Sequence, residues 1–175
     1  MKICIVSDSH DRGPMLAEAI AIAKAEEQLA KGKPDDAVKT LTKAAGEAGA
    51  EGQLALARLQ ERIGDLDAAA EAYEQAKASA SGPGRADALA AVANFTLRRG
   101  KAADAVPVFE RAAELRPGSA RVWGGLADAA AKAGLHEKAV RAARAALAIE
   151  PSQPQFHWRV AVSLRALGRL DEAAL

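Results

Sequence analysis

Five glycines constrain this chain more than any other feature. Gly32, Gly64, Gly100, Gly134 and Gly168 follow one another at intervals of 32, 36, 34 and 34 residues, and five positions after each stands an alanine: Ala37, Ala69, Ala105, Ala139 and Ala173. A sustained period of this length marks a repeat architecture, in which each unit buries its apolar face against its neighbours. The glycine allows a tight turn between two helices, and the alanine lets two helix axes approach closely.

The residues between the glycines agree with helices. Leu89, Val92, Ala93 and Thr96 recur at spacings of three and four before Gly100, and Ala105, Val108, Phe109 and Ala112 do so after it. Each unit therefore reads as a helix A, a glycine turn and a helix B. Half of the chain is apolar but only 3% is aromatic, and alanine dominates from Leu16 onward. Small side chains of this kind suit packed helices and not sheets, so the expected class is all-α. Pro117 and Pro151 fall where helix B should end. The stretch SASGPGRAD at 79–87 reads as the loosest joint, and Pro107, some way into a helix B, should delay that helix or bend it.

Leu89, Val92, Ala93, Gly100, Ala105, Phe109, Ala112 and Pro117, followed by Trp123, Leu126, Ala127, Gly134, Ala139, Ala146 and Pro151, resemble the signature of the tetratricopeptide repeat family. The resemblance covers residues 18–175. It implies a right-handed all-α solenoid of helix-turn-helix hairpins, with units at about 18–49, 50–83, 86–119, 120–153 and a partial one at 154–175.

The first residues differ. KICIVSDSHDRGPMLAEAI reads as a short apolar strand (Ile3 to Val6), a polar loop and a helix opened by Pro14. Over residues 1–25 this is similar to the start of calcineurin-like metallophosphoesterases, with Asp8 and His10 on the D-x-H positions. That resemblance implies two metal ligands, yet a two-metal centre needs more histidines than the three present, His10, His136 and His157. The expected organisation is a phosphoesterase-like stub at 1–13, as in a join between two families, ahead of a repeat array at 14–175. No catalytic residue, metal or cofactor is expected. The alternative is a metal-dependent phosphodiesterase, or a metal-binding remnant, using Asp8 and His10.

A formal net charge of +1, from 24 basic and 23 acidic residues, supplies no field for bulk attraction to nucleic acid or anionic lipid. Cys4 is the single cysteine, so no internal disulfide forms. No apolar run is long enough for a signal-peptide core or a membrane span, and the expected location is the cytoplasm.

By resemblance to the repeat family, the helix A residues line a concave groove that binds a protein or peptide. The groove offsets select Arg58 and Arg62; Asn94 and Arg98; Arg121, Asp128 and Lys132; and Trp158, Arg159 and Arg165, with Ile22, Glu26 and Leu29 from the first unit. The cations favour an acidic partner. A clamp for a partner's terminal carboxylate is not expected, because Ala90, Gly125 and Gln155 depart from it. Trp123 holds a packing position, whereas Trp158 lies one step past the equivalent place and reads equally as groove or core. At the C-terminal end, Val160, Ala161, Leu164 and Leu167 should lie on a face left partly uncovered, so that either the chain is a fragment of a longer repeat protein or this face offers a surface for self-association, most simply as a two-fold homodimer through residues 156–175.

Overall fold

The computed structural model describes residues 12–82 and 84–173. Asp8, His10 and the strand expected at Ile3 to Val6 lie outside the described residues. Among those described there are nine helices and no strand: α1 (Arg12–Ala30), α2 (Pro34–Ile63), α3 (Leu66–Ser79), α4 (Gly84–Arg98), α5 (Ala102–Leu115), α6 (Ala120–Lys132), α7 (His136–Ile149), α8 (Pro154–Ala166) and α9 (Leu170–Ala173). The protein is an all-α helical repeat.

The repeat glycines do what their spacing implies. All five adopt the left-handed conformation, with φ between 70° and 87°. After each, the next residue's N–H reaches back to a carbonyl five positions earlier: Lys33 to Gln28, Asp65 to Gln60, Lys101 to Thr96, Leu135 to Ala130 and Arg169 to Leu164. These bonds satisfy a carbonyl that the helix end would otherwise orphan, and turn the chain into the next helix. Where a capping side chain is available it closes the other end. Asp65 accepts from Ala68 N at 3.1 Å, and Ser119 Oγ from Val122 N at 3.4 Å.

Contacts group the chain into two compact units that part between Ala80 and Ser81, inside the stretch expected to be the loosest joint. The first unit holds α1, α2 and α3. Here α2 is two helices joined at Gly49, whose φ of 63° and ψ of −132° break the helical path at the expected boundary between repeats. Beyond this elbow, Gly52 lies against the preceding half so tightly that a Cβ there would sit 2.7 Å from Ala45 Cα. Thr40 Oγ1 donates to Gln28 Oε1 at 2.9 Å and Tyr73 Oη to Glu61 Oε2 at 3.1 Å, tying neighbouring helices together.

The second unit holds α4 to α9, and in it the A helices α4, α6 and α8 stack side by side. Its core runs through Leu89, Ala93, Phe109, Val122, Leu126 and Ala143. Phe109 is fully buried, and its ring occupies the space a side chain at Gly125 would need, 2.4 Å from a Cβ built there. Phe156 uses Gly124 in the same way at 2.6 Å. The glycine pair thus admits one aromatic from the preceding helix B and one from the next helix A. Ala37, Ala69, Ala105 and Ala139, four of the five alanines of the repeat, are buried.

Helix α5 begins at Ala102 and runs through Pro107, which is exposed in its second turn, so of the two effects expected of this proline the delayed start does not occur. Another expectation needs correction. Leu164 is fully buried, and Val160, Ala161 and Leu167 are half-buried. The reason is that α7 and the short α9 both pack on α8, so even one turn of the last helix B covers this face. It is therefore not the open surface expected for self-association.

Candidate functional site

The face formed by α4, α6 and α8 contains a cleft of about 510 Å³ lined by Asn94, Arg121, Gly124, Gly125, Asp128, Glu150, Gln155, Phe156 and Arg159. Four of the residues selected from the sequence meet here: Asn94, Arg121, Asp128 and Arg159. Each comes from a helix A because that helix turns one side to its successor and the adjacent side to the cleft.

The charges in the cleft are largely matched. Arg159 spans to the preceding repeat, its Nε and Nη2 donating to the two carboxylate oxygens of Asp128, the second at 2.6 Å. Its guanidinium also lies 5.5 Å from the centroid of the Phe156 ring. These hydrogen bonds to Asp128 hold Arg159 above the usual arginine range, although partial burial acts the other way. Arg159 is thus fixed in place. Arg121 reaches Asp87 at 3.4 Å, but Asp87 is already engaged by Arg116 at 2.5 Å. One carboxylate serves two guanidiniums, and Arg121 has the longer contact with a well-exposed side chain. Asn94 Nδ2 donates to Ala90 O one turn back, at 2.8 Å.

The other selected residues lie outside this cleft. Arg98 and Lys132 are exposed at the C-terminal ends of α4 and α6 and do not line the cleft. Trp158 and Arg165 are seven residues apart on α8 and share a face, about 200° round the helix from Phe156. Both are exposed, and Trp158 points away from α6 and not into the cleft. In the first unit, Arg58 and Arg62 line a smaller cleft of about 230 Å³ with Ile22, Glu26 and Leu41. There Arg62 lies 3.8 Å from Glu26.

Sequence reasoning missed Asp87 and Glu150 as charges acting on this face, and the space that Gly124 leaves for Phe156. Asp87 was legible in principle, because it precedes Arg121 by 34 residues, one repeat. A second recess, of about 690 Å³, lies between α5 and α7 and is lined by Glu110, Ala113, Trp123, Leu126, Lys138 and Arg141 among others. Trp123 is half-buried at its wall and donates Nε1–H to Pro117 O at 2.8 Å. Among the described residues no group of three or more His, Cys, Asp or Glu side chains is placed to hold a metal ion. No helix among them is long and apolar enough to cross a membrane.

Models of the tetratricopeptide repeat family match residues 22–86 and 96–157, between them more than half of the chain. The chain belongs to the tetratricopeptide repeat family. No curated protein matches the sequence significantly. Among solved structures, MamA 41-end from Desulfovibrio magneticus RS-1 is similar at a TM-score of 0.73 and 19% identity, over 90% of this chain and 89% of that one. A structure of MamA AMB-1 gives a TM-score of 0.70 at 24% identity, over 93% and 87% of the two chains. At these identities the likeness is one of fold. Membership of this family makes the repeat protein a non-enzymatic interaction scaffold.

Proposed function

We propose that this tetratricopeptide repeat protein binds an extended acidic segment of a partner protein along the α4–α6–α8 face. The observation that carries the reading is the cleft itself: three successive hairpins contribute Asn94, Arg121 and Arg159 to one recess. Arg121 is its recruiting charge, since the carboxylate nearest to it is shared with Arg116. Lys132 stands eleven residues further along α6, three helical turns, and so on nearly the same side. At 1.5 Å per residue the two cations are roughly 16 Å apart, the reach of an extended segment of about five residues. Arg159, held by Asp128 and Phe156, serves as a fixed wall that shapes the recess.

The test is capture from cells of the source organism, with the bound proteins identified by mass spectrometry. Wild type is compared with an Arg121→Glu, Lys132→Glu double variant and with Lys77→Glu, a surface control in the other compact unit. Partners rich in Asp and Glu should be lost from the double variant alone, while the helical circular dichroism of all three stays the same. Full retention of those partners by the double variant removes the groove assignment. A reading as a phosphodiesterase through Asp8 and His10 finds no support in the fold or the comparisons.

A further inference from the structure

In the second unit the A helices α4, α6 and α8 touch one another, whereas the B helices α5 and α7 stand apart, and the gap between them is the recess of about 690 Å³. Ala113 on α5 and Ala142 and Ala145 on α7 face this gap with side chains too small to fill it. Ala113, Ala142 and Leu126 make a buried floor, while Glu114, Pro117 and Arg141 make an exposed rim. Trp123 forms a wall. Its Nε1–H is spent on Pro117 O at 2.8 Å, which pins the side chain and leaves the ring as what the recess presents. Glu110 on α5 and Lys138 on α7 pair across the gap at 2.5 Å and brace the two helices.

Four charged side chains line the recess: Glu110, Glu114, Lys138 and Arg141. Glu110 is taken by Lys138, and Glu114 by Arg111 at 2.6 Å. Among the described residues no ion pair engages Arg141, and the acidic residue about one repeat before it is Glu110, already engaged. The recess therefore joins an apolar interior to one unmatched positive charge at its rim. Its other polar side chains are satisfied within the fold, which leaves no set of donors and acceptors to orient a small ligand. Trp and Arg, in contrast, are the residue types most often found at the energetic centre of a protein interface.

We propose that the α5–α7 recess is a second docking surface, one that takes an aromatic or large aliphatic side chain of a partner protein with an Asp or Glu close beside it in the partner's sequence. The apolar side chain lies against the Trp123 ring over the alanine floor, and the carboxylate pairs with Arg141. A basic segment is repelled by Arg141, and a purely apolar one leaves that charge without a counter-ion as it loses water. No residue that lines the recess also lines the α4–α6–α8 cleft, so the two surfaces serve separate segments.

The experiment pans a displayed library of random short peptides on the full chain, with counter-selection on Arg141→Glu so that peptides bound elsewhere drop out. Enriched sequences should set an aromatic or large aliphatic residue within a few positions of Asp or Glu. One such peptide, made synthetically, is titrated into a Trp158→Phe chain, where Trp123 is the single tryptophan. Its emission should move to the blue as the ring is covered. Arg141→Glu, and Ala145→Phe, which puts a ring into the recess, should each weaken binding roughly tenfold or more, while Lys77→Glu leaves it unchanged. Circular dichroism checks that each variant folds; if Ala145→Phe does not, Arg141→Glu, at an exposed position, carries the test. A peptide with Lys in place of its acid should bind Arg141→Glu better than it binds wild type. A library that yields no such pattern overturns the proposal, as does a peptide that binds without moving the Trp123 emission. So does 3-phenylpropionate binding as tightly as the peptide, which would make the recess a small-molecule site.

Discussion

Helix α2 contains three glycines, Gly46, Gly49 and Gly52, and alanine at each should change stability for a different physical reason. Gly46 lies in the helix with nothing within 4 Å of a built Cβ, so Gly46→Ala should stabilise by about 1 kcal/mol, the helix-propensity difference. At Gly52 the same gain is available, but the new methyl would lie 2.7 Å from Ala45 Cα and 3.0 Å from Ala48 Cβ. The nearest obstacle is backbone, which moves only if the two halves of α2 part, and overpacking of this kind costs about 1–3 kcal/mol. The net for Gly52→Ala is a loss of roughly 1 kcal/mol, the overpacking exceeding the propensity gain. Gly49 has open space but a φ of 63° with ψ of −132°, a conformation that costs an L-residue about 1–3 kcal/mol. In a unit of this size a change of 1 kcal/mol shifts the melting temperature by roughly 4–8 °C. Thermal circular dichroism, paired with hydrogen exchange of α1 to α3, should show Gly46→Ala melting higher than wild type and the other two lower. If Gly52→Ala stabilises as much as Gly46→Ala, the close approach at the elbow is wrong.

Three further outcomes are expected. Phe109→Ala empties a fully buried site between Gly125 and the core, and should cost about 3–5 kcal/mol in urea unfolding of the second unit. A double-mutant cycle with Asp128→Ala and Arg159→Ala should return a coupling of about 1 kcal/mol, reduced by salt, because both side chains stay partly exposed. Glu18 has its carboxyl pushed up by burial and then by the charge of Glu51, so its ionisation opposes folding, fully above its folded value and progressively less as pH falls from there to the ordinary carboxylate range. Glu18→Gln should accordingly raise the stability of the first unit at neutral pH, with the gain shrinking towards acid, as followed by unfolding at a series of pH values.

The turns were the legible part of this fold, since a left-handed position every 32 to 36 residues leaves glycine nearly alone as a candidate, and the buried alanines follow from the same register. Direction was harder to read. Trp158 is two residues beyond Phe156, and on a helix that separation is slightly more than a half-turn, enough to move a side chain from the packed side to the far one. Leu164 was misjudged for another reason: whether one turn of α9 can cover a side chain depends on how α7 and α9 close over it together, which periodicity does not state. The glycine pair Gly124 and Gly125 was visible as a pair, but its use became clear only from the rings of Phe109 and Phe156 that fill the missing volume.

The same register separates structural charges from binding charges. In the second unit the long-range ion pairs join residues 28 to 34 positions apart: Asp87 with Arg121, Glu110 with Lys138, Asp128 with Arg159, Glu137 with Arg169 and Arg144 with Glu172. A charge with an opposite charge about one repeat away is therefore mostly used to hold neighbouring hairpins together, and counting it towards the field of a groove overstates that field. By this rule Arg159 drops out as a recruiting cation, because removing Asp128 would be needed to release it. Arg121 stays, because its repeat partner Asp87 is engaged more closely by Arg116. Lys132 also stays, since among the described residues no ion pair engages it. A groove charge inferred from sequence should thus be tested first against the positions one repeat before and after it, and assigned to a partner only where that place is empty of an opposite charge or the opposite charge is already taken.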